Sequence, residues 1–167
     1  MFESKRQYKC LAPIIQGGFV LLCLGIITFM RPVPVYAALG GDASSVTEDV
    51  VHLQGSLLSI RAPNYTVHEI HAATGTVVRE YVSPSGTVFA VAWQGPWLPD
   101  MRHLLGNYFD QYVEALQGQR SVRFGRRPIH VELPGLVVQL SGHPRSFAGR
   151  AYVPERLPQG VQAEDIR

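Results

Sequence analysis

Thirteen carboxylates and six histidines are the groups on which catalysis or metal binding would be built in this 167-residue chain. The densest grouping is His68-Glu69-Ile70-His71. On a helix that spacing brings both histidines to one side. The surrounding residues favour a strand, however, and on a strand His68 and His71 point to opposite faces. Glu69 and His71 share a face, and Glu80 on the neighbouring strand is the group that could join them. No zincin or cysteine–histidine ligand spacing accompanies the cluster, so no metal and no cofactor are expected. Ser83 and Ser85 stand in Ser-Pro-Ser-Gly, a turn, and the G-x-S-x-G elbow of a serine hydrolase is missing. His103 lies three residues after Asp100, the spacing of an ordinary surface pair on an exposed helix face. Gly40-Gly41 follows no strand and makes no phosphate loop. No catalytic residue is assigned, and a non-enzymatic role is expected.

Two segments suit binding better. Trp93-Gln94-Gly95-Pro96-Trp97-Leu98-Pro99 places two tryptophans and two of its prolines close together in a stiff, apolar loop. Trp93 ends a strand and is expected in the core, whereas Trp97, with Leu98, is the candidate contact for a partner protein. Arg120, Arg123, Arg126 and Arg127 put four positive charges within eight residues, with Phe124 among them. That segment is the candidate site for an anionic glycan or lipid. Its simpler reading is a solvated loop after a helix C-terminus, where arginine favours the negative end of the dipole.

The elements that must position these residues can be read from periodicity. Ser45-Val46-Thr47-Glu48 has the form of a capping box, and a helix is predicted from about Val46 to Gly55. The period then changes to two, giving strands at Tyr65–His71, Thr76–Val82 and Thr87–Trp93. Thr74-Gly75 and Ser83-Pro84-Ser85-Gly86 are the turns between them. Asp100 opens a second helix whose apolar stripe runs Met101, Leu104, Leu105, Tyr108, Phe109, Tyr112 and Leu116, with Gly118 at its end. Strands at Ile129–Leu133, Leu136–Leu140 and Phe147–Val153 follow. The prediction is an α+β fold of order αβββ-αβββ, one antiparallel sheet or two abutting ones with helices on one face. Pro154 to Arg167 has no period and is expected to be an extended strap outside a single domain of residues 38–153.

The first 37 residues have the layout of a secretory signal peptide. Lys5, Arg6 and Lys9 precede an apolar run from Ile14 to Met30, and Val35-Tyr36-Ala37 supplies a cleavage site before Ala38. Retention as a signal anchor is the competing reading. Cys23 follows Leu22 rather than a small residue, which argues against a lipid anchor. Both cysteines, Cys10 and Cys23, lie in this leader, so the exported chain would have no disulfide and no thiol nucleophile. Residues 38–167 contain eleven arginines and no lysine, which excludes Schiff-base and P-loop lysine chemistry. Without the leader the formal net charge of +2 becomes −1, so global charge makes no case for nucleic acid.

Several stretches also carry a family resemblance: Ala38-Leu39-Gly40-Gly41, Tyr65-Thr66-Val67-His68-Glu69, the block from Gly75 to Gly95, Leu98-Pro99-Asp100, and Gly149-Arg150-Ala151-Tyr152. Together they resemble the exported proteobacterial proteins grouped as domain of unknown function 2844. The resemblance implies an envelope location and a single domain, and it brings no activity, ligand or catalytic residue with it. The expectation is therefore a periplasmic or secreted protein-interaction module for another envelope component. Binding of an anionic glycan or lipid through Arg120–Arg127 is the alternative, and an enzyme with a non-obvious site is the third.

Overall fold

The structure is a computed structural model that describes residues 39–119 and 128–167. The leader with its cleavage position, and the Arg120–Arg127 segment, lie outside the described residues. The fold is α+β, two helical regions on a seven-stranded antiparallel sheet. Its strands are β1 (Ser56–Arg61), β2 (Thr66–His71), β3 (Val77–Val82), β4 (Val88–Gly95), β5 (Ile129–Leu133), β6 (Leu136–His143) and β7 (Ser146–Tyr152). They are ordered β1-β2-β3-β4-β7-β6-β5, so two meanders join through β4 and β7 into a single sheet. No helix of the described residues is long and apolar enough to cross a membrane.

Helix α1 (Val46–His52) is shorter than its periodicity suggested. Its entry is fixed by Asp42, whose side chain accepts from Ser44 N–H at 2.8 Å, while Ser45 makes no side-chain cap. The capping box expected at Ser45 is thus replaced by a 3-10 turn over Ala43–Ser45. Beyond α1 the chain enters β1, a strand the periodicity did not foresee. Leu57 and Leu58 continue the helical spacing of Leu53, but they pair with Ile70 and Glu69 of β2 and stay exposed. An edge strand exposed at every position leaves no alternation of burial in the sequence.

The second helical region is one stripe but two helices, α2 (Met101–Leu105) and α3 (Phe109–Gln119). Gly106 adopts φ +49 between them, a left-handed backbone that only glycine takes without strain, and a 3-10 turn connects the pieces. Asp100 caps α2 by accepting from the N–H groups of Arg102 (2.9 Å) and His103 (3.3 Å), as its position in the sequence foretold.

Both faces of the sheet are covered. Alternation along β4 sends Val91 and Trp93 to the helix side and Ala90 and Ala92 to the other. The helix side gathers Leu39, Ile70, Val78, Leu104, Leu105 and Val138 with them. The opposite side is sealed by the C-terminal strap, where Val161 and Ile166 bury against Tyr81, Phe89, Ala90 and Ala92. Phe89 reaches that side because a bulge shifts the register between Tyr81 and Val82. A strand buried on both faces has a near-continuous apolar sequence, which is what Val88 to Trp93 shows.

Candidate functional site

Trp97 and Leu98 sit where β4 leaves the sheet for α2, and both are exposed, at 59% and 43%. Trp93, four residues earlier, is 1% exposed and packs over Gly149, where a Cβ would come within 2.4 Å of its ring. The two tryptophans thus divide as the sequence suggested, one in the core and one at the surface. The loop is pinned by Thr76, buried just ahead of β3, whose hydroxyl donates to the Trp97 carbonyl at 2.9 Å and lies 3.4 Å from the Trp97 amide. Gly95 makes this possible by lying flat on Thr76, where any Cβ would collide with the Thr76 backbone at 2.5 Å. Beside the loop is a recess of about 160 Å³, walled by Leu53, Ala72, Thr76, Val78, Trp97 and Leu98. A bulky side chain held on a stiff loop next to a small apolar recess is the geometry in which one anchor residue of a partner is desolvated at low entropic cost.

The histidine–acid cluster read from the sequence does not assemble. Glu69 and His71 share the strap face and touch at 2.7 Å, and Arg79 joins Glu69 at 2.6 Å, so a guanidinium occupies the place a cation would take. Burial works to raise the Glu69 pKa, but the Arg79 and His71 contacts outweigh it and hold the carboxyl below its ordinary value. Glu80 is on the other face, because its register partner on β2 is His68 and not Glu69. Among the described residues no group of three histidines, cysteines or acids is placed to hold a metal ion.

Glu80 belongs instead to a buried cluster that periodicity could not reveal. Asp49 of α1, Glu80 of β3 and His103 of α2 converge beneath the helices, with Asp49 and Glu80 fully buried and His103 nearly so. His103 Nε2 meets Asp49 Oδ1, and the ring of His52 stacks on that of His103 at 4.0 Å. His103 is therefore not the exposed partner of Asp100 that its spacing implied; Asp100 spends its carboxylate on the helix cap. Burial and the adjoining Asp49 carboxylate push the Glu80 pKa well up. The Asp49 hydrogen bond raises that of His103 against the opposing effect of burial. Asp49 Oδ2 and both Glu80 oxygens find no hydrogen-bond donor among the described residues. A proton held between the two carboxyls pairs Asp49 Oδ2 with one of the Glu80 oxygens.

A concavity of about 480 Å³ along β5, β6 and β7 offers no free cation through Arg150. That guanidinium donates to Gln139 Oε1 at 2.7 Å and to the carbonyls of Ala163 and Ile166 in the strap.

Across this framework, residues 35–166 match the family model described as a protein of unknown function, DUF2844. The chain belongs to the DUF2844 family. Comparison of this DUF2844 chain with curated proteins and with solved structures found no match in either. The match covers the sheet, the recess and the strap together, so the strap Pro154–Ile166 falls within the family's extent. Within the DUF2844 domain the loop carrying Trp97 was legible from its composition. The Asp49–Glu80–His103 cluster was not, since its members are more than twenty residues apart and no local spacing links them.

Proposed function

We propose that the protein is an exported envelope component that works as a non-catalytic interaction module, docking another protein at the Trp97–Leu98 loop. The observation that carries this reading is the pair of exposed apolar side chains beside the small recess, on a loop fixed at both strand and helix. The burial of Asp49 and Glu80 supports it, because these two carboxyls have no exposed surface at which a substrate could meet them. The test is to purify the protein from its native envelope as wild type and as Trp97→Ala, and to compare what is recovered with each. The reading requires a partner that the variant loses while its melting temperature stays within a few degrees. A Trp97→Ala protein destabilised as much as a core truncation removes the docking site. The alternative, binding of anionic glycan or lipid by Arg120, Arg123, Arg126 and Arg127, is favoured by the density of charge in that segment. It requires salt-sensitive retention on an anionic matrix that those four arginines, changed to alanine, abolish.

A further inference from the structure

The recess beside Trp97 and the buried cluster are built from the same three elements. Asp49 is on α1, which leads directly to Leu53 in the recess wall. Glu80 is on β3, which also carries Val78 in that wall. His103 is on α2, and the approach to α2, Leu98-Pro99-Asp100, forms the rim. We propose that the Asp49–Glu80–His103 cluster is a proton-held clamp that keeps α1 and α2 seated on the sheet and thereby keeps the recess in shape. Its bearing on partner binding rests on the docking reading above; the clamp itself does not.

Asp49 Oδ1 accepts from His103, but three further buried carboxyl oxygens lack a donor among the described residues. With one proton between Asp49 and Glu80, and one more on His103, each carboxyl group has a hydrogen-bond partner, a single Glu80 oxygen is left without a donor among the described residues, and the cluster is close to neutral. Removing the shared proton leaves two carboxylates facing each other out of solvent. The groups around the cluster set the same preference. Glu48 on α1 and Asp100 ahead of α2 add negative potential at His103, and His52 stacks on its ring. On the β2 side His68 stands opposite Glu80; burial lowers its pKa, and its Nδ1 is 2.8 Å from the Ser59 hydroxyl. His68 therefore brings no strong positive charge to replace the proton.

The sign follows from linkage. Glu80 and His103 both have folded pKa values above their ordinary 4.5 and 6.5. The folded state then holds more protons than the unfolded state from the ordinary carboxylate range upward, and stability falls as pH rises through the two raised values. Loosening begins at α1 and α2, and the Trp97 rim moves with them.

The experiment labels the full chain with 5-fluorotryptophan, assigns the two fluorine resonances with Trp97→Phe, and titrates from about pH 5.5 to about pH 9.5 with melting curves in parallel. The Trp97 signal is expected to move while the melting temperature falls by at least about 5 °C, with the Trp93 signal staying in place. Glu80→Gln, whose amide offers Asp49 a donor at every pH, is expected to suppress most of this movement. A wild type flat in both measurements overturns the proposal, as does a Trp97 transition that Glu80→Gln leaves intact. Hydrogen exchange of the wild type needs no variant. Protection of α1 amides is expected to drop at least about tenfold relative to β6 and β7 over the same range, and an equal change in both overturns the clamp. None of these measurements involves a partner, so a failed Trp97→Ala recovery leaves them unaffected, and the reverse also holds.

Discussion

The two faces of the sheet fasten their covers by different chemistry. On the helix side, α1 and α2 are held by an apolar core and by three buried ionisable groups. On the strap side, an apolar patch of Val161 and Ile166 is accompanied by side chains that donate to backbone carbonyls. Tyr81 donates to the Arg167 carbonyl at 2.8 Å and its oxygen lies 3.0 Å from the Arg167 amide. Arg150 donates to two strap carbonyls, Asn64 donates to the Gln159 carbonyl at 3.0 Å, and Arg156 donates to the Gly40 carbonyl at 3.1 Å. Burial pushes the Tyr81 phenol above its ordinary 10.0, which keeps that donor protonated through the neutral range. The strap is thus pinned by backbone carbonyls and arginines, whereas the helices depend on a proton count. Two covers of one sheet can therefore respond differently to the same solvent.

The largest effect that sharpens this contrast is expected from the helix side. Leu105→Ala removes a fully buried side chain at the centre of the larger core and should cost roughly 3 to 5 kcal/mol in denaturant unfolding. Ile166→Ala empties the strap-side core near the chain end, where the strap can settle inward, and should cost about 2 to 3 kcal/mol. If the Ile166 variant equals or exceeds the Leu105 variant, the strap is as integral to the fold as the helices. Tyr81→Phe deletes a phenol that both donates and accepts, and is expected to cost about 1 kcal/mol by the same measurement, equally at neutral and alkaline pH. Smaller still is the acid-side effect at Glu69. Its lowered pKa contributes stability that is present above its ordinary 4.5 and lost as pH falls through the lowered value. Lying near solvent, that pair should give a slight acid-side decline which Glu69→Gln removes, opposite in sign to the alkaline decline of the helix side. Smallest in stability is Trp97→Ala, whose melting temperature should barely move. A large drop would place Trp97 in the fold rather than at the surface.

How much of this was legible depended on whether a signal was local. The strands β2 to β7 showed in alternation and in turns such as Pro134-Gly135, and their bounds agree with the periodicity to within a few residues. Asp100 showed because a cap acts on residues two and three positions away. β1 was hidden by Leu57 and Leu58 continuing a helical spacing, although Pro63-Asn64, between two β-rich runs, marks the hairpin that creates it. The break at Gly106 was hidden because the apolar stripe continues across it. His103 was misplaced for a deeper reason. Its nearest acid in sequence is Asp100, but the group it meets is Asp49, fifty-four residues away.

By itself, the sequence determined the α+β class, the strand-rich halves on either side of a helical region, a core Trp93 and a stiff loop at Trp97. These are set by periods of two and 3.6 and by the backbone limits of proline and glycine, which act over a few residues. Only the tertiary structure decided that the halves share one sheet, that the strap covers its second face, and that Glu80 turns away from Glu69 toward Asp49 and His103. Those facts depend on register, where a slip of one residue reverses the face of every side chain on a strand. Register is fixed by the summed packing of both faces, and no short stretch of sequence contains that sum.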